Sequence, residues 1–186
     1  MAKTPGNNPT WRHMTPGSGQ VITAPNSIWA WKFPKKPGLV GYCVRSGIKL
    51  TGKTAIHWKF RIEGNAVFAP YHPEQEGKPC KTRLYFQRAG DDYSGSVGKY
   101  EFYRWWGNGA VQVLANQSFN VTVPLDPAQW GSVYGKTGVQ AGVFWDQALA
   151  NVVLMGFTFG GASFAGHGVV LESGASTFAL ESYDIT

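Results

Sequence analysis

Apolar residues recur at every second position over much of this chain. From Thr54 to Ile62, Ile56, Trp58, Phe60 and Ile62 alternate with His57, Lys59 and Arg61. That is the period-two signature of a strand with one face in a core and a cationic face outward. Residues 28–33 repeat it, with Trp29, Trp31 and Phe33 on one side, until the two prolines of PKKPG at 34–38 end the ladder. Thr82–Arg88 sets Leu84 and Phe86 against Arg83, Tyr85 and Gln87, and Phe119, Val121 and Val123 form a strand that Pro124 closes. Further strands are predicted at Val152–Phe159, Gly168–Glu172 and Thr177–Ile185, and a long aromatic one at Lys99–Trp106. GNG at 107–109 signals a hairpin into Ala110–Leu114, while residues 63–81 and 89–98 are predicted as loops. Only Asp126–Trp130 and Phe144–Ala150 suggest helix, each of two turns at most.

Nine or ten strands with no long helix predict an all-β sandwich or barrel. Residues 1–22 lack periodicity and are rich in Pro, Gly and Asn, so they predict an extended arm preceding a β-sandwich domain at 23–186. Composition agrees: 8 Trp, 8 Tyr, 11 Phe and 24 Gly accompany only 15% charged residues, against about 25% in ordinary soluble domains.

Charge is unevenly spread. Ten cations and no carboxylate precede Glu63, whereas residues 63–186 hold seven cations against eleven carboxylates. The basic first third, residues 1–62, suits an acidic partner: nucleic acid, an anionic glycan or an acidic subunit face. The first twenty residues lack the apolar stretch of an export signal, and no apolar run of about 20 residues is present to span a membrane. Synthesis in a cytosol is expected, with Cys43 and Cys80 as buried thiols by default and a bridge between them as the alternative.

Gly47–Thr54 fits the G-x-x-x-x-G-K-[ST] pattern of phosphate-cradling loops. That chemistry needs a helix beginning at the Lys-Thr, but AIHWKFRI follows with apolar residues at every second position, so a turn between strands is expected. Glycoside hydrolysis needs two carboxylates facing one cleft, and no local cluster of acids supplies them. None of His13, His57, His72 and His167 has a second ligand at zinc spacing.

The remaining candidate chemistry is aromatic. Read as a strand, 99–106 puts Tyr100, Phe102, Arg104 and Trp106 on one face and Glu101, Tyr103 and Trp105 on the other. One face is then a candidate platform, because sugar rings stack their C–H faces on Trp and Tyr, which also favour subunit interfaces. The candidate ligand- or subunit-contact residues are Trp105, Tyr103, Trp106, Tyr85, Arg83, His57 and Arg61.

The segment Phe119–Leu125, then Trp130, ALANVVLMGFTFGG at 148–161 and the closing Thr177–Ile185 resembles the last strands of galactose-binding-like jelly rolls. That family includes many carbohydrate-binding modules. The resemblance covers about 70 residues and rests on an apolar strand of the form N-V-x-x-[IM]-G-F before a Gly-rich loop. It implies a jelly-roll β-sandwich, and at most a structural calcium ion held from the closing strand, where Asp184 is the corresponding position.

Together these features lead us to expect a non-catalytic jelly-roll sandwich without a required cofactor, built into or displayed on a virus particle such as a bacteriophage. Its expected partners are other virion or self subunits, with a surface glycan as a further ligand and no membrane. A free lectin-like module or glycoside-active enzyme is the competing class. Nucleic-acid binding through residues 1–62, weakening steeply with salt, is a third.

Overall fold

A computed structural model describes residues 11–15, 17–98 and 100–186. Among them the strands are β1 (Arg12–His13), β2 (Val21–Ile22), β3 (Trp29–Lys32), β4 (Tyr42–Ser46), β5 (Ala55–Gly64), β6 (Val67–Pro70) and β7 (Lys81–Arg88). They continue as β8 (Arg104–Gly107), β9 (Gln112–Val113), β10 (Ser118–Pro124), β11 (Trp130–Gly131), β12 (Val152–Gly160), β13 (Val169–Ser173) and β14 (Ser176–Ile185). Two short helices, α1 (Gly138–Ala141) and α2 (Val143–Ala150), precede β12. All the strands pair antiparallel, in an open seven-stranded sheet β1-β4-β12-β7-β8-β11 with β9 beside β7, a five-stranded sheet β10-β5-β14-β3-β2, and a two-stranded sheet β13-β6.

The alternation read along β5 explains the packing. Ile56, Trp58, Phe60 and Ile62 are buried and face the inward rings of the other large sheet. Trp58 stacks on Phe157 of β12 at 5.0 Å, Phe157 on Phe178 of β14 at 5.2 Å, and Trp31 on Phe178 at 4.1 Å. Each such aromatic pair adds about 0.5–1.5 kcal/mol beyond its area burial, so this ring layer locks the two large sheets face to face.

Fourteen strands form where nine or ten are predicted. The excess lies in pieces too short to show a period. β6 crosses the stretch 63–81 expected to be loop, pairing with β13, and Pro73–Gln75 adds a single 3-10 turn there. β4 continues the seven-stranded sheet between β12 and β1. Of the expected arm, residues 1–10 and 16 lie outside the described residues; β1 and β2 pair with β4 and β3, and Trp11 is buried against Trp29 and Phe157.

Two predicted elements are corrected. The strand over 99–106 shrinks to β8, because Tyr100 N donates to Ser96 O and Tyr103 N to Tyr100 O, which curls the chain into turns just before it. GNG does not reverse the chain either. β8 and β9 run in the same direction along one edge of β7, pairing with Tyr85–Gln87 and with Lys81–Thr82. Between them the chain bulges outward, with the N–H groups of Asn108 and Gly109 both given to Gln129 O.

Other readings hold. Gly47–Thr54 is a turn, with Lys53 N donating to Leu50 O and Gly52 at φ +77°, and its Lys-Thr leads into β5. The expected helix at Phe144–Ala150 is α2, whereas Asp126–Trp130 contracts to a 3-10 turn capped by the Asp126 carboxylate, which accepts from Ala128 N. Cys43 and Cys80 are free and buried. No helix among the described residues is long and apolar enough to cross a membrane.

Candidate functional site

Strand register decides which side chains leave the core. Along β7, Thr82, Leu84 and Phe86 point inward, so Arg83, Tyr85 and Gln87 point out of the seven-stranded sheet. On β8, Trp105 opposes Phe86 and is inward; Trp106 opposes Tyr85 and Arg104 opposes Gln87, both outward. On β4 and β12, Tyr42, Val44 and Thr158 join them. Val44, Tyr85 and Trp106 thus form a small apolar cluster apart from the main core, with Met14, Tyr42, Val133, Leu154 and Ala165 against it.

Half of this outer face is closed by the 89–98 loop. The hydroxyls of Tyr85 and Tyr93 both donate to Gln87 Oε1 at 2.9 Å, and Gln87 Nε2 donates to Asp91 Oδ2 at 2.8 Å. Asp91 lies 3.0 Å from Arg104 Nε, a close ion pair but poorly aligned as a hydrogen bond. Burial raises the Asp91 carboxyl above its ordinary value, against the pull of Arg104. Burial likewise pushes the Tyr42, Tyr85 and Tyr93 phenols up.

The other half is an open hollow of about 500 Å³. Tyr42, Trp106 and Phe164 supply aromatic walls, and Arg83, Arg104, Asn108, Ser132, Ser163 and His167 supply polar groups. Arg83 is half-buried and held in place by two bonds, one to Asn108 Oδ1 at 3.0 Å and one to Ala162 O at 3.1 Å. Beside it, His72, Phe164 and His167 pack ring on ring within 5.3 Å, and burial together with the charge of His72 lowers the pKa of His167. Gly166 lets this wall approach: it sits at φ +84°, and a Cβ there would strike the Tyr42 ring.

Two buried polar atoms of lining residues, Trp106 Nε1 and Ser132 Oγ, have no hydrogen-bond partner among the described residues, and Thr158 Oγ1 on the same face has none there either. The indole nitrogens of Trp11, Trp31 and Trp58, in the main core, share that condition. A wider groove of about 1300 Å³ runs beside β6 and β13, lined by Phe68, Tyr71 and Leu171. Its described lining contains no buried side-chain polar atom left without a partner.

The predicted contact residues do not form one platform. Tyr85, Trp106 and Arg83 share the outer face, with Tyr85 and Trp106 ring centroids 5.5 Å apart. Trp105 is fully buried between the sheets, in edge contact with Trp145 at 4.9 Å, and its Nε1 donates to Phe102 O. Tyr103 sits in the turn before β8 with the Arg88 guanidinium 4.3 Å over its ring. His57 and Arg61 belong to the outer face of the five-stranded sheet, on the far side of the molecule. There His57 meets Thr122 Oγ1 at 3.0 Å, and Arg61 donates to Glu63, Glu181 and Pro25 O.

Asp184 is exposed and stands opposite His57 across the β14–β5 ladder. Calcium takes six to eight oxygen ligands. Among the described residues no group of three or more His, Cys, Asp or Glu is placed to hold a metal, so this donor set does not fit the ion that the resemblance implies.

Tyr42, Asn108, Ser132, Ser163 and Phe164 are among the hollow residues that sequence reasoning missed. Tyr42-Cys43-Val44-Arg45 carries a faint alternation that could have revealed β4, but Ser132 and Phe164 sit in irregular segments without a periodic signal. Comparison of the chain with known protein families, with curated proteins and with solved structures returns no match.

Proposed function

We propose that the chain is a non-catalytic jelly-roll module that binds a saccharide in the hollow on the outer face of its seven-stranded sheet. The observation that carries this reading is the meeting of Trp106, Tyr42 and Phe164 rings with the polar groups of Arg83, Asn108 and Ser163 in one open hollow. Sugars need both parts: an aromatic surface for their C–H faces and directed polar groups for their hydroxyls. The described lining holds no carboxylate, and glycoside hydrolysis uses carboxylates in pairs, which favours binding over the glycoside-active alternative.

Support for the jelly roll comes from strand order. One sheet runs β10-β5-β14-β3 and the other β8-β7-β12-β4, each neighbour antiparallel, as two interleaved Greek keys require. Jelly rolls occur in lectin and viral capsid domains alike.

A second reading makes the protein a subunit of a virus particle, synthesised in the host cytoplasm and assembled with copies of itself or other virion proteins. Val139, Val143 and Phe144 favour it: they are 63%, 61% and 42% exposed within six residues of chain, as apolar surface awaiting a subunit would be.

A glycan-array screen of the purified protein beside Trp106→Ala tests the first reading. Saturable binding lost in the folded variant supports it, and a protein that binds no glycan overturns it. Sedimentation tests the second: an oligomer that Phe144→Asp dissociates supports it, and a monomer at high concentration overturns it.

A further inference from the structure

The charge inside the hollow is unbalanced. Arg83, Arg104 and His167 line it, and no Asp or Glu among the described residues does. Arg104 is matched by Asp91 at 3.0 Å. Arg83 is not matched: among the described residues it forms no ion pair, and its two acceptors, Asn108 Oδ1 and Ala162 O, are neutral.

A guanidinium carries five N–H donors in a planar fork, and two of those on Arg83 are used. Three further N–H groups of Arg83 are therefore left over at the wall of the hollow, beside the aromatic ring of Trp106. A half-buried cation without a counter-ion is also held at a desolvation cost, and burial pulls the Arg83 pKa below its ordinary value. An anion arriving beside it would recover that cost.

We infer that the hollow selects carboxylate-bearing saccharides, uronic or sialic in type, with the sugar carboxylate on the Arg83 guanidinium and the sugar ring against Trp106. This rests on the saccharide reading above and sharpens it to a ligand class. A planar carboxylate matches the planar guanidinium edge to edge, and such charge-assisted pairs are roughly twice as strong as neutral hydrogen bonds. Asn108 Oδ1 and Ala162 O act as positioning groups, because each takes one N–H of the guanidinium and fixes the fork at the wall of the hollow.

The experiment is a glycan array carrying acidic oligosaccharides, their carboxyl-reduced neutral counterparts and sulfated analogues. Wild-type protein and Arg83→Gln are screened, with circular dichroism and a thermal melt to check folding. The expected result is binding to a carboxylated glycan about tenfold or more tighter than to its reduced partner, with that preference abolished in Arg83→Gln. Equal binding to acidic and reduced glycans would overturn the carboxylate selection and leave the saccharide reading standing. Tighter binding to sulfated analogues, or an acidic preference that survives in Arg83→Gln, would also overturn it. Binding to no glycan at all would overturn both readings. The comparison between each acid and its reduced partner uses wild-type protein alone, so it stays decisive even if Arg83→Gln fails to fold.

Discussion

Tyr85 and Trp106 stand beside each other across the β7–β8 ladder with ring centroids 5.5 Å apart, on the outside of the sheet. Trp105, the residue between Trp106 and Arg104 in the chain, faces the opposite way and is fully buried. Two adjacent tryptophans thus serve different ends, and substitution separates them. Trp105→Ala empties a core site and is expected to cost about 3–5 kcal/mol of stability. Trp106→Ala also removes packing, against Val44 and Tyr85, and is expected to be destabilised but folded and to lose glycan binding. Urea unfolding beside the array screen checks the pair, and a Trp105→Ala protein of unchanged stability would refute the core assignment.

His13 gives the protein an acid weakness. Its ring lies between Trp29 and Trp31, 4.8 and 4.9 Å away, with Cys43 Sγ at 3.4 Å from Nδ1, and burial lowers its pKa from 6.5 to about 4. The unfolded chain therefore binds the proton more readily than the folded one, and stability falls as pH drops from about 6.5 toward about 4. Each tenfold difference in proton affinity is worth about 1.4 kcal/mol, so the loss is on the order of 3 kcal/mol. His13→Leu is expected to flatten that slope, measured as urea stability at several pH values. An unchanged slope would move the acid sensitivity to another group.

Arg61 is expected to matter for stability and not for the ligand. It joins Glu63 at 2.9 Å, Glu181 at 3.0 Å and Pro25 O at 2.7 Å. Burial pushes the Glu181 carboxyl up, but hydrogen bonds from Lys59 and Arg61 outweigh it and hold the pKa below its ordinary value. Arg61→Ala should cost about 1–3 kcal/mol, read from the denaturation midpoint, with array binding intact. Loss of glycan binding in a folded Arg61→Ala protein would place ligand contact on the five-stranded sheet instead.

The two thiols should be silent until the protein opens. Burial, with the nearby charge of Glu172, pushes the Cys80 thiol up to about 12, and burial alone raises Cys43 well above its ordinary value. The thiolate is the reactive form. Slow labelling by a disulfide reagent at pH 8 in the native state, and fast labelling of both thiols in denaturant, is the expected result. Rapid native labelling of either would show that its site opens without global unfolding.

Gly166 ties the loop to the hollow. Its positive φ and its closeness to Tyr42 leave no room for a side chain, so Gly166→Ala should cost about 1–3 kcal/mol and displace Tyr42. A thermal melt and the array together read both effects. A variant as stable as the parent would mean that this wall yields.

The strands that carry the core were legible because their periods are long enough to see. β5 and β14 each run ten residues and β12 nine, and alternation over such lengths has few other readings. β1, β2, β9 and β11 run two residues each, which leaves nothing periodic to detect. Tyr100, Phe102 and Tyr103 misled for a different reason. Aromatic spacing before Arg104 imitates a strand, whereas hydrogen bonds back to Ser96 and Tyr100 make it a turn. The outer-face site was half visible: Tyr85, Trp106 and Arg83 follow from period two, but Ser132 and Phe164 reach the hollow only because β11 and the 161–168 loop converge there. His57 and Arg61 share the alternation of those residues and lie on the other sheet, a distinction that strand order decides and spacing does not.

β14 lies at the middle of the five-stranded sheet, between β5 and β3. Those two neighbours leave the ribosome more than a hundred residues before Ile185 does. Until then Trp31 and Phe60 lack their partner Phe178, and the edges of β3 and β5 stay open to pairing with other chains. Each new molecule is therefore open to aggregation until Ile185 has emerged, and its yield in a cell will depend on how quickly β14 docks.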